Sequence, residues 1–185
     1  MILMNDFKAE PPELRGAMRA AAARVFDSGW YVLGRELENF EREWAARCGV
    51  PHAVGVGNGM EEIEIALRAL DIGPGDEVIT TSMTAFATVL AILRAGAMPV
   101  LADIDPETAL LSRESAARCV SPRTRAVLLV HLYGQVRDMD EWVAWCDTRG
   151  VALVEDCAQA HLASLKGKVA GAFGAAGAYS FYPTK

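Results

Sequence analysis

The residues best suited to chemistry are a lysine, an aspartate and a glycine loop, each next to a short apolar run. Lys185 follows Tyr179-Ser180-Phe181-Tyr182-Pro183-Thr184, behind a small-residue approach through Gly171, Gly174 and Gly177. Tyr179, Ser180 and Phe181 alternate at strand period, which sets two rings on one face and a hydroxyl on the other. Pro183 removes a backbone donor and stops that strand. By position alone Lys185 would be a solvated residue, but a primary amine leaving a rigid element at a fixed angle is what nucleophilic amine chemistry needs. The other lysines suit it less. Lys166-Gly167-Lys168 reads as a polar hairpin turn, and Lys8 stands near the amino terminus.

Asp156 follows Ala152-Leu153-Val154-Glu155, so a carboxylate sits at the mouth of a buried strand, where it either caps the next turn or faces a ligand. Glycines 55, 57 and 59 open a helix that begins near Met60. A helix start offers free backbone N–H groups to an anion. As a dinucleotide fingerprint the loop fails, because Met60 stands where the third glycine belongs. Glu61, Glu62 and Glu64 suit the helix dipole but would repel a phosphate they faced, so they are expected to point outward.

In order along the chain, these segments resemble the DegT/DnrJ/EryC1/StrS family of pyridoxal-phosphate sugar aminotransferases. Ser180-Phe181-Tyr182-Pro183-Thr184-Lys185 is similar to that family's Schiff-base lysine motif. Glu155-Asp156-Cys157-Ala158-Gln159-Ala160-His161 is similar to its Glu-Asp-x-Ala-Gln-Ala-His, and His131-Leu132-Tyr133-Gly134-Gln135 to its His-Leu-Tyr-Gly-Gln. The resemblance implies pyridoxal 5'-phosphate as cofactor, with Lys185 as its Schiff-base lysine and proton shuttle. It further implies Asp156 on the pyridine nitrogen, Gln159 near the ring hydroxyl, and Ser180 on the phosphate with Gly59, Met60 and Glu61. Phe86 is either the flat apolar partner of the ring or a core residue. His161, Trp30 and Tyr31 are either pocket neighbours or plain packing. The chain departs from the family pattern at Met60, where a hydroxyl residue is usual, at Glu62, at Ala85 directly after Thr84, and at Leu162.

The implied activity is transfer of an amino group from an amino-acid donor, glutamate being expected, to a keto group of a nucleotide-linked sugar. Amination of a cyclitol or related antibiotic precursor would use the same machinery. A noncatalytic sensor or scaffold that keeps the fold is the alternative from another class, and Met60, Glu62 and Ala85 are what speak for it. The resemblance also implies a homodimer with a shared active site.

Such groups need a frame to hold them. Helices are expected over Glu13 to Phe26, Glu36 to Cys48, Met60 to Leu70, Ala85 to Ala95, Arg113 to Cys119 and Met139 to Arg149. Strands are expected over Glu77 to Thr80, Pro99 to Ala102, Ala126 to His131 and Val151 to Glu155. This alternation predicts an α/β fold with a mostly parallel sheet covered by helices on both faces. Resemblance makes it the type I aminotransferase-like large domain, with residues 1–185 as its amino-terminal part and a carboxyl-terminal small domain outside this sequence.

A hydrophobic content of 52% is that of a packed domain. The net charge of −6, with no basic run, argues against nucleic acid as partner. The longest apolar run, Ala85 to Leu101, is broken by Arg94 and Pro99, and no secretory leader pattern opens the chain, so a cytoplasmic protein with no membrane partner is expected. The four cysteines have no CxxC spacing and the three histidines lie far apart, which suggests free thiols and no metal.

Overall fold

The computed structural model describes residues 5–185. Its helices are α1 (Pro12–Ser28), α2 (Arg35–Cys48), α3 (Gly59–Ala69), α4 (Phe86–Ala95), α5 (Arg113–Cys119) and α6 (Met139–Asp147). Its strands are β1 (Glu77–Thr81), β2 (Met98–Ala102), β3 (Thr124–Val130), β4 (Ala152–Asp156), β5 (Ser164–Leu165), β6 (Lys168–Val169) and β7 (Ala176–Ala178). Local chemistry sets the boundaries. Pro12 occupies the first turn of α1, where its missing N–H costs nothing, and Gly29 ends that helix at φ 66°. The Asn58 side chain caps α3 by accepting from Glu61 N.

Five strands form one sheet in the order β2-β1-β3-β4-β7, and every neighbouring pair is parallel. The period of two decides which residues meet which helices. Val78, Ala126, Leu128 and Val154 point to the face covered by Ile63 and Leu67 of α3 and Ala91 and Ile92 of α4. Ile79, Val127, Leu129 and Leu153 point to the opposite face, against Ala116 of α5 and Met139, Trp142 and Cys146 of α6. The sheet is therefore covered on both sides, as the alternation of elements predicts, with apolar side chains at the centre of both faces. The short β5–β6 hairpin turns at Lys166 (φ 52°) and Gly167 (φ 80°), the positive-φ pair that two-residue hairpins require. All four cysteines are free thiols. Among the described residues no helix is long and apolar enough to cross a membrane.

Two expectations need correction. The strand expected to run through Tyr179 to Phe181 stops at Ala178. Its partner β4 ends at Asp156, the last ladder bond is Cys157 N–H to Ala178 O, and the next N–H, of Tyr179, turns to a side chain instead. The side-chain alternation survives in the unpaired chain, since Tyr179 and Phe181 both meet the edge of Trp44, with ring centroids 5.0 Å away in each case. Helix α1 has the expected amphipathic pattern, yet it buries no residue: Leu14, Met18 and Phe26 remain 49%, 56% and 69% exposed.

The most demanding element of the fold is Glu155, whose side chain is wholly buried. Its carboxylate accepts from His131 Nε2 at 2.8 Å and from the N–H groups of Gly171 (2.8 Å), Phe173 (2.8 Å) and Gly174 (2.7 Å). Burial alone would push the carboxyl up; these hydrogen bonds outweigh it and hold the group below the usual carboxylate range. The loop they gather must pack backbone on backbone. A Cβ on Gly177 would stand 2.4 Å from Gly171 Cα, and one on Gly174 would stand 2.3 Å from Leu153 O. Replacement of Glu155 by Ala leaves three N–H groups and a histidine buried without their acceptor, and is expected to cost about 3–5 kcal/mol in urea unfolding.

Candidate active site

The carboxyl ends of the strands open into a cleft of about 1310 Å³, bounded by Val50–Gly59, by the first turns of α3 and α4, and by the stretch from Gly171 to Lys185. Gly59, Met60, Asp156, Ser180 and Lys185 all line it. Parallel strands bring Asp156, Ser180 and Lys185 together, because the chain leaves β4 and β7 at the same edge, and Gly59 and Met60 reach it from the start of α3, beside Ser180.

Asp156 ends β4 and is 6% exposed. Its two oxygens have different partners. Oδ1 accepts from Ala158 N at 3.1 Å and shapes the turn, while Oδ2 accepts from Thr88 Oγ1 at 2.8 Å on the cleft side. Thr88, fully buried in the first turn of α4, is in turn 2.8 Å from Thr84 Oγ1. Sequence reasoning passed over Thr88; the signal was its i,i+4 spacing from Thr84.

At the start of α3, Asn58 Oδ1 takes the Glu61 N–H at 3.0 Å and the Glu62 N–H bonds within the helix. The N–H groups of Gly59 and Met60 remain for an anion, and that of Glu61 does not. Ser180 stands against this turn: a Cβ on Gly59 would lie 3.1 Å from Ser180 Cβ and 3.6 Å from its Oγ. Lys185 lies at the lip of the cleft, in the exposed run from Phe181 to Lys185, where its backbone N–H bonds to Tyr182 O at 2.8 Å.

The three acids of α3 do not behave alike. Glu64 faces outward and pairs with Arg68 (3.0 Å) and Arg94 (2.6 Å). Glu61 folds back along Gly57, where a Cβ would meet its Oε2 at 2.6 Å. Glu62 turns inward, against the expectation, because its Oε2 accepts the Tyr179 N–H at 2.8 Å. Burial, and secondarily the charge of Asp156, push its carboxyl up to about 7 despite that bond. Position 62 shares a face with Ala66, one turn on, so the periodicity that places Ala66 inward also pointed to it.

The remaining candidates lie elsewhere. Gln159 is exposed at the rim, with Oε1 accepting from Tyr133 N at 2.9 Å. Phe86 is 72% exposed, which removes the core reading; its neighbours Ala85, Ala87 and Thr88 line the cleft. His161 sits in an aromatic cluster, 5.1 Å from Phe181 and 6.1 Å from Trp44 by ring centroid, and its Nε2 is buried without a partner. Trp30 and Tyr31 are 62% and 65% exposed and do not border the cleft; Trp30 Nε1 donates to Val32 O and Tyr31 meets the edge of Phe26. His131, Glu155 and Cys157 offer ligand atoms within 4.8 Å of one another, but the carboxylate is already filled by four hydrogen bonds.

A parallel sheet covered on both faces, with an acid ending one strand and a lysine shortly after the next, is the fold seen in the large domain of type I aminotransferase-like proteins. The chain belongs to the DegT/DnrJ/EryC1/StrS aminotransferase family, whose model matches residues 12–185. It is 49% identical over 180 residues to a dTDP-3-amino-3,4,6-trideoxy-alpha-D-glucose transaminase of Streptomyces venezuelae, covering 97% of this chain and 48% of that protein. It is 43% identical over 181 residues to a dTDP-3-amino-3,6-dideoxy-alpha-D-galactopyranose transaminase of Aneurinibacillus thermoaerophilus, covering 98% and 50%. A crystal structure of S. venezuelae DesV in complex with a ketimine intermediate superposes with a TM-score of 0.90 at 48% identity, over 96% of this chain and 48% of that one. The chain spans about half the length of the curated relatives it matches.

Two outcomes are expected from this geometry. A carboxyl raised from 4.5 to about 7 in the folded state stabilises the fold at low pH, and that contribution is lost as pH rises through 7. Glu62→Gln keeps an acceptor without the titration, so its melting temperature should gain on the wild type between pH 4.5 and pH 8. A difference that stays flat across that range would show that the group is not held away from water. Thr88→Val, which removes the donor to Asp156, should lower unfolding free energy by about 1–3 kcal/mol, with Thr88→Ser close to wild type.

Proposed function

We propose that the protein is a pyridoxal-phosphate-dependent aminotransferase that moves an amino group from an amino-acid donor, glutamate, to the keto group of a nucleotide-linked sugar. One observation carries this reading: a single cleft gathers two unspent helix N–H groups, a serine beside them, a carboxylate held by a buried threonine, and a lysine. The residues fit the group. The N–H groups of Gly59 and Met60 and the Ser180 hydroxyl can receive the phosphate, with no side chain on Gly59 to bar its approach. The names of the two transaminase relatives support a dTDP-linked deoxysugar as substrate and its C3 keto group as the acceptor.

Pyridoxal phosphate, when bound, supplies a ring that draws electrons away from the carbon carrying the amino group. The chain supplies the rest. The Asp156 carboxylate would hold a proton on the ring nitrogen, and the Thr88 hydroxyl fixes the orientation of its Oδ2. Lys185 would supply the amine that anchors the group, and its Nζ would take and return a proton. The amine must be neutral for that work, which calls for more cover than these exposed residues have in the chain alone. A homodimer with a shared site would supply it, and the uncovered apolar side chains of α1 and Phe86 are consistent with such packing. Free thiols and the absence of a spanning helix among the described residues fit a cytoplasmic setting, which we adopt.

Added pyridoxal phosphate should give a chromophore that glutamate bleaches, and borohydride reduction followed by peptide mapping should label Lys185. Lys185→Ala should lose the label and about 10²–10⁴-fold in amino transfer to a dTDP-keto-sugar. A wild-type protein that gives no chromophore and no label would sink the enzyme reading in favour of a noncatalytic sensor or scaffold.

A further inference from the structure

The hydrogen bond between Glu62 and Tyr179 joins two parts of the cleft that are otherwise separate pieces of chain. Glu62 lies in the first turn of α3, directly after the anion-facing N–H groups; Tyr179 opens the segment that carries Ser180 and Lys185. The Tyr179 N–H is the first backbone donor past the end of the β4–β7 ladder, and its residue is 8% exposed. Without Glu62 that donor would be buried with no partner, which costs more than the bond itself contributes. The other holds on this segment come from its opposite side: the Tyr179 hydroxyl donates to Ala170 O, and the Tyr179 and Phe181 rings lie against Trp44. Toward α3 the segment is held by the hydrogen bond to the Glu62 carboxyl and by the packing of Tyr179 O and Ser180 against Gly59.

We propose that Glu62 is a positioning residue: by accepting the Tyr179 N–H it ties the anion cradle of α3 to the segment bearing Ser180 and Lys185, and so fixes the distance between phosphate and amine. The consequence for cofactor binding rests on the functional reading above; the tether itself does not. The bond needs an acceptor and not a charge. A protonated carboxyl still offers its carbonyl oxygen to the Tyr179 N–H, so the tether persists on both sides of the titration near 7.

The test uses the whole protein with Glu62→Ala and Glu62→Gln, and two measurements. Amide exchange of the peptide containing Tyr179, followed without cofactor, should speed up in Glu62→Ala and stay near wild type in Glu62→Gln. Pyridoxal phosphate titration should give a dissociation constant raised about tenfold in Glu62→Ala and restored in Glu62→Gln. Glu62→Met, similar in volume but without an acceptor, takes the place of alanine if that variant does not fold. Unchanged exchange and affinity in the variants lacking an acceptor overturn the proposal, and so does equal loss in alanine and glutamine. If the wild type binds no pyridoxal phosphate, the functional reading fails while the exchange data still decide the tether.

Discussion

A carboxylate removed from water must be given back in hydrogen bonds what it loses in solvation, and Glu155 sets that condition for the whole carboxyl-terminal third of the chain. Its four donors come from one histidine after β3 and from a loop between β6 and β7. That loop cannot drift without stranding the charge, so β7 is delivered to the free side of β4 at one register. The glycines beneath allow it, since any side chain at 174 or 177 would strike backbone. The lysine segment inherits its position from this arrangement.

Adjacent residues on β4 therefore do opposite work. Glu155 and Asp156 point to opposite sides of the strand, as neighbours on a strand must. One is spent inside the fold; the other meets the cleft with an oxygen held by Thr88. The pairing sets a fully satisfied acid inside the fold beside one that lines the cleft. Sequence proximity alone would not have told which was which.

Much of the architecture was legible because it follows from local pattern. Short apolar runs such as Val127 to Val130, alternating with helical periodicities, point to a parallel sheet covered twice, and Gly29, Gly96 and Gly167 stand where a positive φ is needed. The cleft residues Gly59, Met60, Asp156, Ser180 and Lys185 were legible through motif and strand end together. What escaped depended on partners far away in sequence. Thr88 acquires its meaning from an acid 68 residues on, and Glu62 from an N–H 117 residues on; a charge on a helix reads as solvated until that donor is known. Trp30 and Tyr31, for which pocket and packing were both open, have Val32 and Phe26 as neighbours and do not border the cleft in this chain. Phe86 could be read as a ring partner or as core, and its exposed place at the start of α4 argues against the core.

The strand order has a consequence for how the chain comes into being. β1 is made first, and each later strand of the main sheet docks on one already present: β2 and β3 on either side of β1, β4 on β3, β7 on β4. Nothing has to be threaded between strands that have already paired. The sheet can thus grow outward in step with synthesis, at the few to about 20 residues per second at which chains emerge from the ribosome. During that growth Glu155 emerges 16 residues before Gly171, the first of its three loop donors, so for about a second or more β4 carries a charge with only His131 to answer it.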